Sequence, residues 1–117
     1  MRYLLTAVAA LVLSVTASFA ADPVGSYTVE GANPGGGSKY SGTVTVERSG
    51  ETYQVIWVIA GTRFVGTGIG NRESIAVAYS ASSGTGLAVY NEDGGNWKGT
   101  WTFTNGRSLG SEVWKRR

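Results

Sequence analysis

The chain has 117 residues, with ten basic and eight acidic side chains, a net charge of +2, and neither cysteine nor histidine. These absences rule out disulfides, Cys and His nucleophiles, histidine general bases and the common zinc ligands. No cofactor or metal is therefore expected, and the near-neutral body does not suit nucleic acid.

Residues 1–20 come first. Arg2 supplies a positive start, residues 4–15 (LLTAVAALVLSV) are an apolar run, and Ser18-Phe19-Ala20 ends in small side chains. That order is the pattern of a secretory signal peptide cleaved after Ala20. It leaves residues 21–117 as one domain in the periplasm or outside the cell. The absence of cysteine at the cleavage site argues against a lipoprotein anchor. After cleavage, no integral membrane protein is expected.

From residue 21 onward no helical period is visible. Eighteen glycines stand against two prolines, and short alternating runs rich in Val, Thr, Tyr and Trp are divided by Gly and Asn turns. This is the language of strands and hairpins. It predicts eight strands, over 25–31, 40–48, 51–59, 62–70, 73–80, 85–91, 96–104 and 107–116. An aromatic-x-Gly-Thr pattern recurs at Tyr40, Phe64 and Trp97, consistent with one strand-bending need met several times.

The turns suggest the register. A Ser49-Gly50 turn would pair Val46 with Tyr53. An Ala60-Gly61 turn would pair Trp57 with Phe64. A turn around Asp93-Gly94 would pair Tyr90 with Trp97, and Asn105-Gly106, the strongest two-residue hairpin signal, would pair Trp97 with Trp114. Symmetric hairpins are expected at 71–72 and 82–83. In this ladder every aromatic from Tyr27 to Trp114 falls on one face, and a slip of one residue at any turn would throw later aromatics to the other face. Eight sequential antiparallel strands with one apolar face can close into an up-and-down barrel with an aromatic interior, which leaves no edge. A β-sandwich is the alternative. Inside a barrel the same register groups Gly42, Trp57, Phe64, Tyr79, Gly86, Trp101 and Gly110 in one approximate layer and Val46, Tyr53, Gly68, Ile75, Tyr90, Trp97 and Trp114 in another.

Glu112 stands out, because the register places its carboxylate inside, opposite Gly99 and between tryptophans. A bare buried carboxylate is costly. It must be protonated, bonded to Tyr or Trp donors, near an open end, or paired with a ligand. The candidate ligand-binding set is Glu112 with Trp57, Trp97, Trp101, Trp114, Tyr53 and Tyr90. On the opposite face Ile56, Val65, Ala78 and Leu87 would line up, flanked by Val58 and Val89. An exposed apolar stripe of this kind would suit a protein partner or a second copy. Three other features carry less. Residues 66–70 (GTGIG) lack the helix of a dinucleotide loop, and residues 91–94 (NEDG) offer too few oxygens for calcium. The basic end Lys115-Arg116-Arg117 reads as a solvated tail. The loop 33–37 (NPGGG) is placed to gate one barrel end.

Gly25-Ser26-Tyr27 at the start and a last strand ending in Arg116 resemble the first- and last-strand signatures of calycin-type barrels, the lipocalins and avidins, with Tyr where Trp is usual. The whole of 21–117 also resembles small exported bacterial β-barrel proteins that share Asn33-Pro34, Tyr40-x-Gly42, Trp57, Gly66-x-Gly68, Gly94-x-x-Trp97-x-Gly99-x-Trp101 and Glu112-x-Trp114. Some of these carry a fibronectin-binding label. The resemblance implies a barrel and no site that can be transferred residue by residue. Together these features favour a non-enzymatic binding module. It would hold a small, mostly apolar ligand in the barrel or present its wall to a protein. An envelope structural or adhesion role is the second class, and enzyme chemistry the least favoured.

Overall fold

In the computed structural model, residues 22–117 are described, and the segment read as a signal peptide lies outside them. Eight strands follow one another: β1 (Gly25–Ala32), β2 (Lys39–Ser49), β3 (Thr52–Ile59), β4 (Thr62–Gly70), β5 (Ser74–Ala81), β6 (Gly84–Asp93), β7 (Asn96–Phe103) and β8 (Gly110–Arg116). Each pairs antiparallel with the next, and β1 pairs with β8, so the sheet closes into a barrel. Closure settles the alternative between barrel and sandwich. It also leaves no strand edge able to recruit another chain.

The strands alternate as a half-buried sheet should. In β3, Tyr53, Val55 and Trp57 are buried while Gln54 and Val58 are exposed. The inward set along the barrel includes Tyr27, Val29, Val44, Val46, Tyr53, Val55, Trp57, Ile75, Val77, Ala88, Tyr90, Trp97 and Trp114. Each Val or Ile of this set contributes on the order of 1.5–3 kcal/mol when fully buried. The aromatics all keep inward parity, although Phe103 sits at the rim and is exposed.

Three of the six expected turns hold their register, among them the symmetric hairpin at 82–83, and three move by two residues, among them the one at 71–72. Trp57 faces Phe64 across a turn in which Ala60 (φ 51°) and Gly61 (φ 78°) are both left-handed, the type I′ geometry that matches strand twist. Trp97 faces Trp114 as expected, but β8 begins only at Gly110. Residues 104–109 form a longer loop, held by Thr102 donating to Ser108 O at 2.9 Å. The β2–β3 turn is Gly50-Glu51, so Val46 faces Val55 rather than Tyr53. A turn with positive φ only at its first central residue wants glycine there. Likewise Gly94 and Gly95 are both left-handed, and Tyr90 faces Gly99 rather than Trp97. Two glycines meet the type I′ requirement better than Asp93-Gly94 would. Each correction is an even number of residues, so no side chain changes face.

The apolar stripe on the outside is interrupted for the same reason. Asn71 Oδ1 accepts from the backbone N–H of Glu73 at 2.8 Å and Ser74 at 3.2 Å, which lengthens the β4–β5 connection. Val65 consequently faces Ser80, not Ala78. Ile56 and Val65 remain paired but half-buried, with Val58 exposed beside them. A separate exposed group forms from Ile69, Ala76 and Val89 in one row and Ala78 with Leu87 in the next. Ile69, 64% exposed, was not part of the expected stripe.

The two ends of the barrel differ. At the end where β1 starts and β8 stops, Arg116 ties several segments together. Its Nε donates to Gly95 O (3.1 Å), Nη1 to Val24 O (3.1 Å), and Nη2 to Asp22 O and the Tyr27 hydroxyl (2.8 Å each). The guanidinium also lies 4.8 Å from the Tyr27 ring centroid, in cation–π contact. Tyr27 in turn donates to Pro23 O at 2.6 Å, and Pro23 is buried. Arg48 covers Tyr53 in the same way at 4.4 Å. Arg116 is therefore no solvated tail, because a planar five-donor fork finds a carbonyl cluster that lysine could not bridge.

Ala60 is held at φ 51° without a glycine's freedom. Left-handed backbone costs an L-residue about 1–2 kcal/mol, partly returned because alanine restricts the unfolded chain. Ala60→Gly is expected to raise stability by about 0.5–1 kcal/mol in urea denaturation, with the barrel's circular dichroism unchanged.

Candidate functional site

The opposite end of the barrel is open. There a cavity of about 440 Å³ is lined by Tyr40, Trp57, Ile59, Phe64, Tyr79, Tyr90, Trp101, Phe103 and Glu112, with Asn33, Ser83, Gly84, Thr85 and Thr104 at its edge. That is within the size range of small-molecule pockets, roughly 300–1,000 Å³. The lining follows from strand direction. The ends of β1, β3, β5 and β7 and the starts of β2, β4, β6 and β8 all meet here. Strand alternation then aims Tyr40, Trp57, Ile59, Phe64, Tyr79, Trp101 and Phe103 inward.

Their rings form an edge-to-face chain. Phe64 meets Tyr79 at 6.4 Å between centroids, Tyr79 meets Trp57 at 5.9 Å and Trp101 at 6.3 Å, and Trp101 meets Tyr40 at 6.2 Å and Phe103 at 5.1 Å. Such pairs add about 0.5–1.5 kcal/mol each beyond area burial. Several rings lie directly against glycine on a neighbouring strand. A Cβ on Gly110 would stand 2.6 Å from Trp101, and one on Gly99 would collide with the Tyr90 ring. Glycine at these two places lets an aromatic lie flat against the backbone, which permits tight coiling.

Glu112 forms the floor. It is 6% exposed and is the buried charged residue of the core. Four groups donate to it: the Tyr40 hydroxyl to Oε2 at 2.6 Å, and Trp57 Nε1 (3.1 Å), the Tyr90 hydroxyl (2.8 Å) and Trp114 Nε1 (2.9 Å) to Oε1. These donors come from β2, β3, β6 and β8. Hydrogen bonds to a charged acceptor are worth about 1.5–3 kcal/mol each, against about 1 for a neutral pair. Burial, and then the nearby carboxylate, push the pKa of Tyr40, Tyr79 and Tyr90 above the ordinary tyrosine value, so their hydroxyls stay protonated as donors. Glu92 also has inward parity but stands at the end of β6, where it accepts the Gly95 N–H at 2.7 Å.

The sequence-derived set divides between the two halves of the barrel. Glu112, Trp57, Trp101 and Tyr90 line the cavity. Tyr53, Trp97 and Trp114 do not, because they are packed in the closed half, with Tyr90 and Trp114 only 4.1 Å apart between centroids. Tyr40, Phe64, Tyr79, Ile59 and Phe103 were missed. The face of each was legible, and the register grouped Phe64 and Tyr79 in one layer with Trp57 and Trp101, but which layer borders an open space depends on strand tilt and packing, which pairing alone does not report. The indole N–H groups of Trp97 and Trp101 are buried without a hydrogen-bond partner. Being out of reach of solvent, the Trp101 N–H is no handle for a ligand. Among the described residues no cluster of His, Cys, Asp or Glu could hold a metal.

Glu112→Gln keeps the shape but turns charge-assisted bonds into neutral ones and sets an amide N–H₂ against donors. It is expected to lose roughly 2–4 kcal/mol in chemical denaturation, whereas Glu47→Gln, on the exposed end of β2, stays within about ±0.5 kcal/mol. Equal behaviour of the two variants would mean that the four-donor arrangement contributes nothing to stability.

No protein-family model matches this chain, and no curated protein matches it either, so its own cavity and buried carboxylate must carry any inference about function.

Proposed function

We propose that this protein is an exported, non-enzymatic binding module that holds a small, mostly apolar ligand in the open half of its barrel. The observation that carries this reading is the asymmetry of the interior. One end is closed over a packed core by Arg116, Tyr27 and Pro23, and its hollow at Asp22, Arg48, Gly70, Arg72 and Glu73 is lined mainly by charged and polar residues, while the other end holds a cavity of about 440 Å³ walled by aromatic rings. A blind aromatic well fits ligand holding better than passage through the barrel. The resemblance of Gly25-Ser26-Tyr27 and Arg116 to calycin signatures supports the same reading. The non-enzymatic part rests on the lack of His and Cys and on Glu112, whose two oxygens already accept four hydrogen bonds. The export part rests on residues 1–20.

A role in contacts at the cell envelope draws on a different observation. Ile69, Leu87 and Val89 are exposed together on the outer wall of β4–β6, facing away from the interior. Such a role would leave the interior well without a task, so the ligand reading is preferred.

The neutral probe N-phenyl-1-naphthylamine tests the well. Its fluorescence should rise on mixing with the protein and saturate at one site. Ile59→Trp, a rim substitution that fills the mouth, should weaken the probe at least tenfold while leaving thermal unfolding within a few degrees. Failure of the wild type to bind any such apolar probe would overturn the proposal. Export has its own measurement. Mass spectrometry of the protein from the source cell should find a mature chain beginning at Ala21, and an intact residue 1 in the membrane fraction would refute cleavage.

A further inference from the structure

The cavity has a sign as well as a shape. Its floor is a carboxylate that receives four neutral hydrogen bonds and, among the described residues, no ion pair. Neutral donors stabilise a negative charge without cancelling it. None of the residues lining the cavity is Lys or Arg. Lys39, Arg63 and Arg107 belong to the same end of the barrel but are exposed and do not line it, so solvent and salt screen them. The walls point the same way, because the π faces of Trp, Tyr and Phe attract cations, most strongly when the cation is desolvated.

Resting on the reading of the cavity as a ligand well, we infer that its ligand is an organic cation: an ammonium group, quaternary or protonated, on an apolar body. The cationic head would lie among Tyr40, Trp57, Tyr79 and Trp101 above Glu112, and the apolar part would reach toward Phe64 and Phe103 at the mouth. Oε2 accepts only the Tyr40 hydroxyl and so retains capacity for a further donor. A fully methylated ammonium needs no hydrogen bond and would be held by charge and rings alone. An anionic ligand would meet an unscreened carboxylate in a low-dielectric well and be excluded.

The test compares ligands of one shape and different charge. Benzyltrimethylammonium, its carbon isostere neopentylbenzene, and benzoate each compete with N-phenyl-1-naphthylamine for the wild-type protein. The cation should bind at least tenfold more tightly than the isostere, and benzoate should not compete. Glu112→Gln should bring cation and isostere to within about twofold of each other. Tyr40→Phe, which keeps the ring and releases Oε2 from its one bond, should keep or increase the preference. The Tyr40→Phe and wild-type measurements stand even where Glu112→Gln fails to fold. If the naphthylamine binds but cation and isostere compete equally, or if Tyr40→Phe abolishes the preference, the cation inference is overturned and the ligand well survives. If nothing binds, both fall.

Discussion

The interior of this barrel is organised around one carboxylate. Glu112 reaches inward from β8 and is bonded by side chains from β2, β3 and β6 as well as by Trp114 of its own strand. The sheet hydrogen bonds join neighbours only. None of β2, β3 and β6 is a neighbour of β8, so the carboxylate links parts of the wall that the ladder does not. Taking a carboxylate out of water costs several kcal/mol, and four donors are what make the position tenable. The dependence runs both ways. Without Glu112, the indole N–H groups of Trp57 and Trp114 and the Tyr90 hydroxyl would be left buried without this acceptor, which is the expensive failure for polar groups in a core. This reciprocal need fixes which rotamers Tyr40, Trp57, Tyr90 and Trp114 adopt, and so fixes where the tight half of the core ends and the cavity begins.

Above that level the packing loosens because of what the strands supply. In the closed half, Tyr27, Tyr53, Trp97 and Trp114 fill the barrel with Val and Ile between them, and all are essentially inaccessible. In the open half the glycines at 86 and 110 let Tyr79 and Trp101 lie against the wall. Rings flattened on the wall line a space where upright rings would fill it. The same aromatic residue type thus serves as core on one side of Glu112 and as cavity wall on the other. The guanidinium of Arg116, anchored to carbonyls of Asp22, Val24 and Gly95, seals the closed end without needing a salt bridge. A chain without cysteines has to close its ends with such non-covalent fasteners.

The outer wall follows a different logic. Its apolar residues form no continuous band, since one lengthened connection at Asn71 offsets β4 against β5 and inserts Thr67 and Ser80 between the two groups. What remains exposed, Ile69 with Val89 and Leu87, is small beside the aromatic investment inside. β-branched residues are also favoured in strands for backbone reasons alone.

Alternation of apolar and polar residues determined the number of strands, their order, and the face on which every aromatic lies. These depend on a period of two that survives any error of an even number of residues. That is why the displaced turns at Gly50-Glu51 and Gly94-Gly95 left Glu112 inside with the tryptophans. The inward position of that carboxylate was also legible, because Asn105-Gly106 anchors the pairing of Trp97 with Trp114 even though the ladder itself starts at Gly110. Closure, the depth of each inward residue, and the donors that satisfy Glu112 were decided only by the tertiary structure. Depth along a barrel depends on strand stagger and tilt, which accumulate over eight strands from turn types that differ by the position of a single glycine. The register nevertheless groups Phe64 and Tyr79 with Trp57 and Trp101 in one interior layer and Tyr53, Trp97 and Trp114 in another, because pairing across each turn carries relative depth along with face. That the first layer borders an open cavity, joined there by Tyr40, while the second is packed solid beneath it, is decided only by the closed sheet.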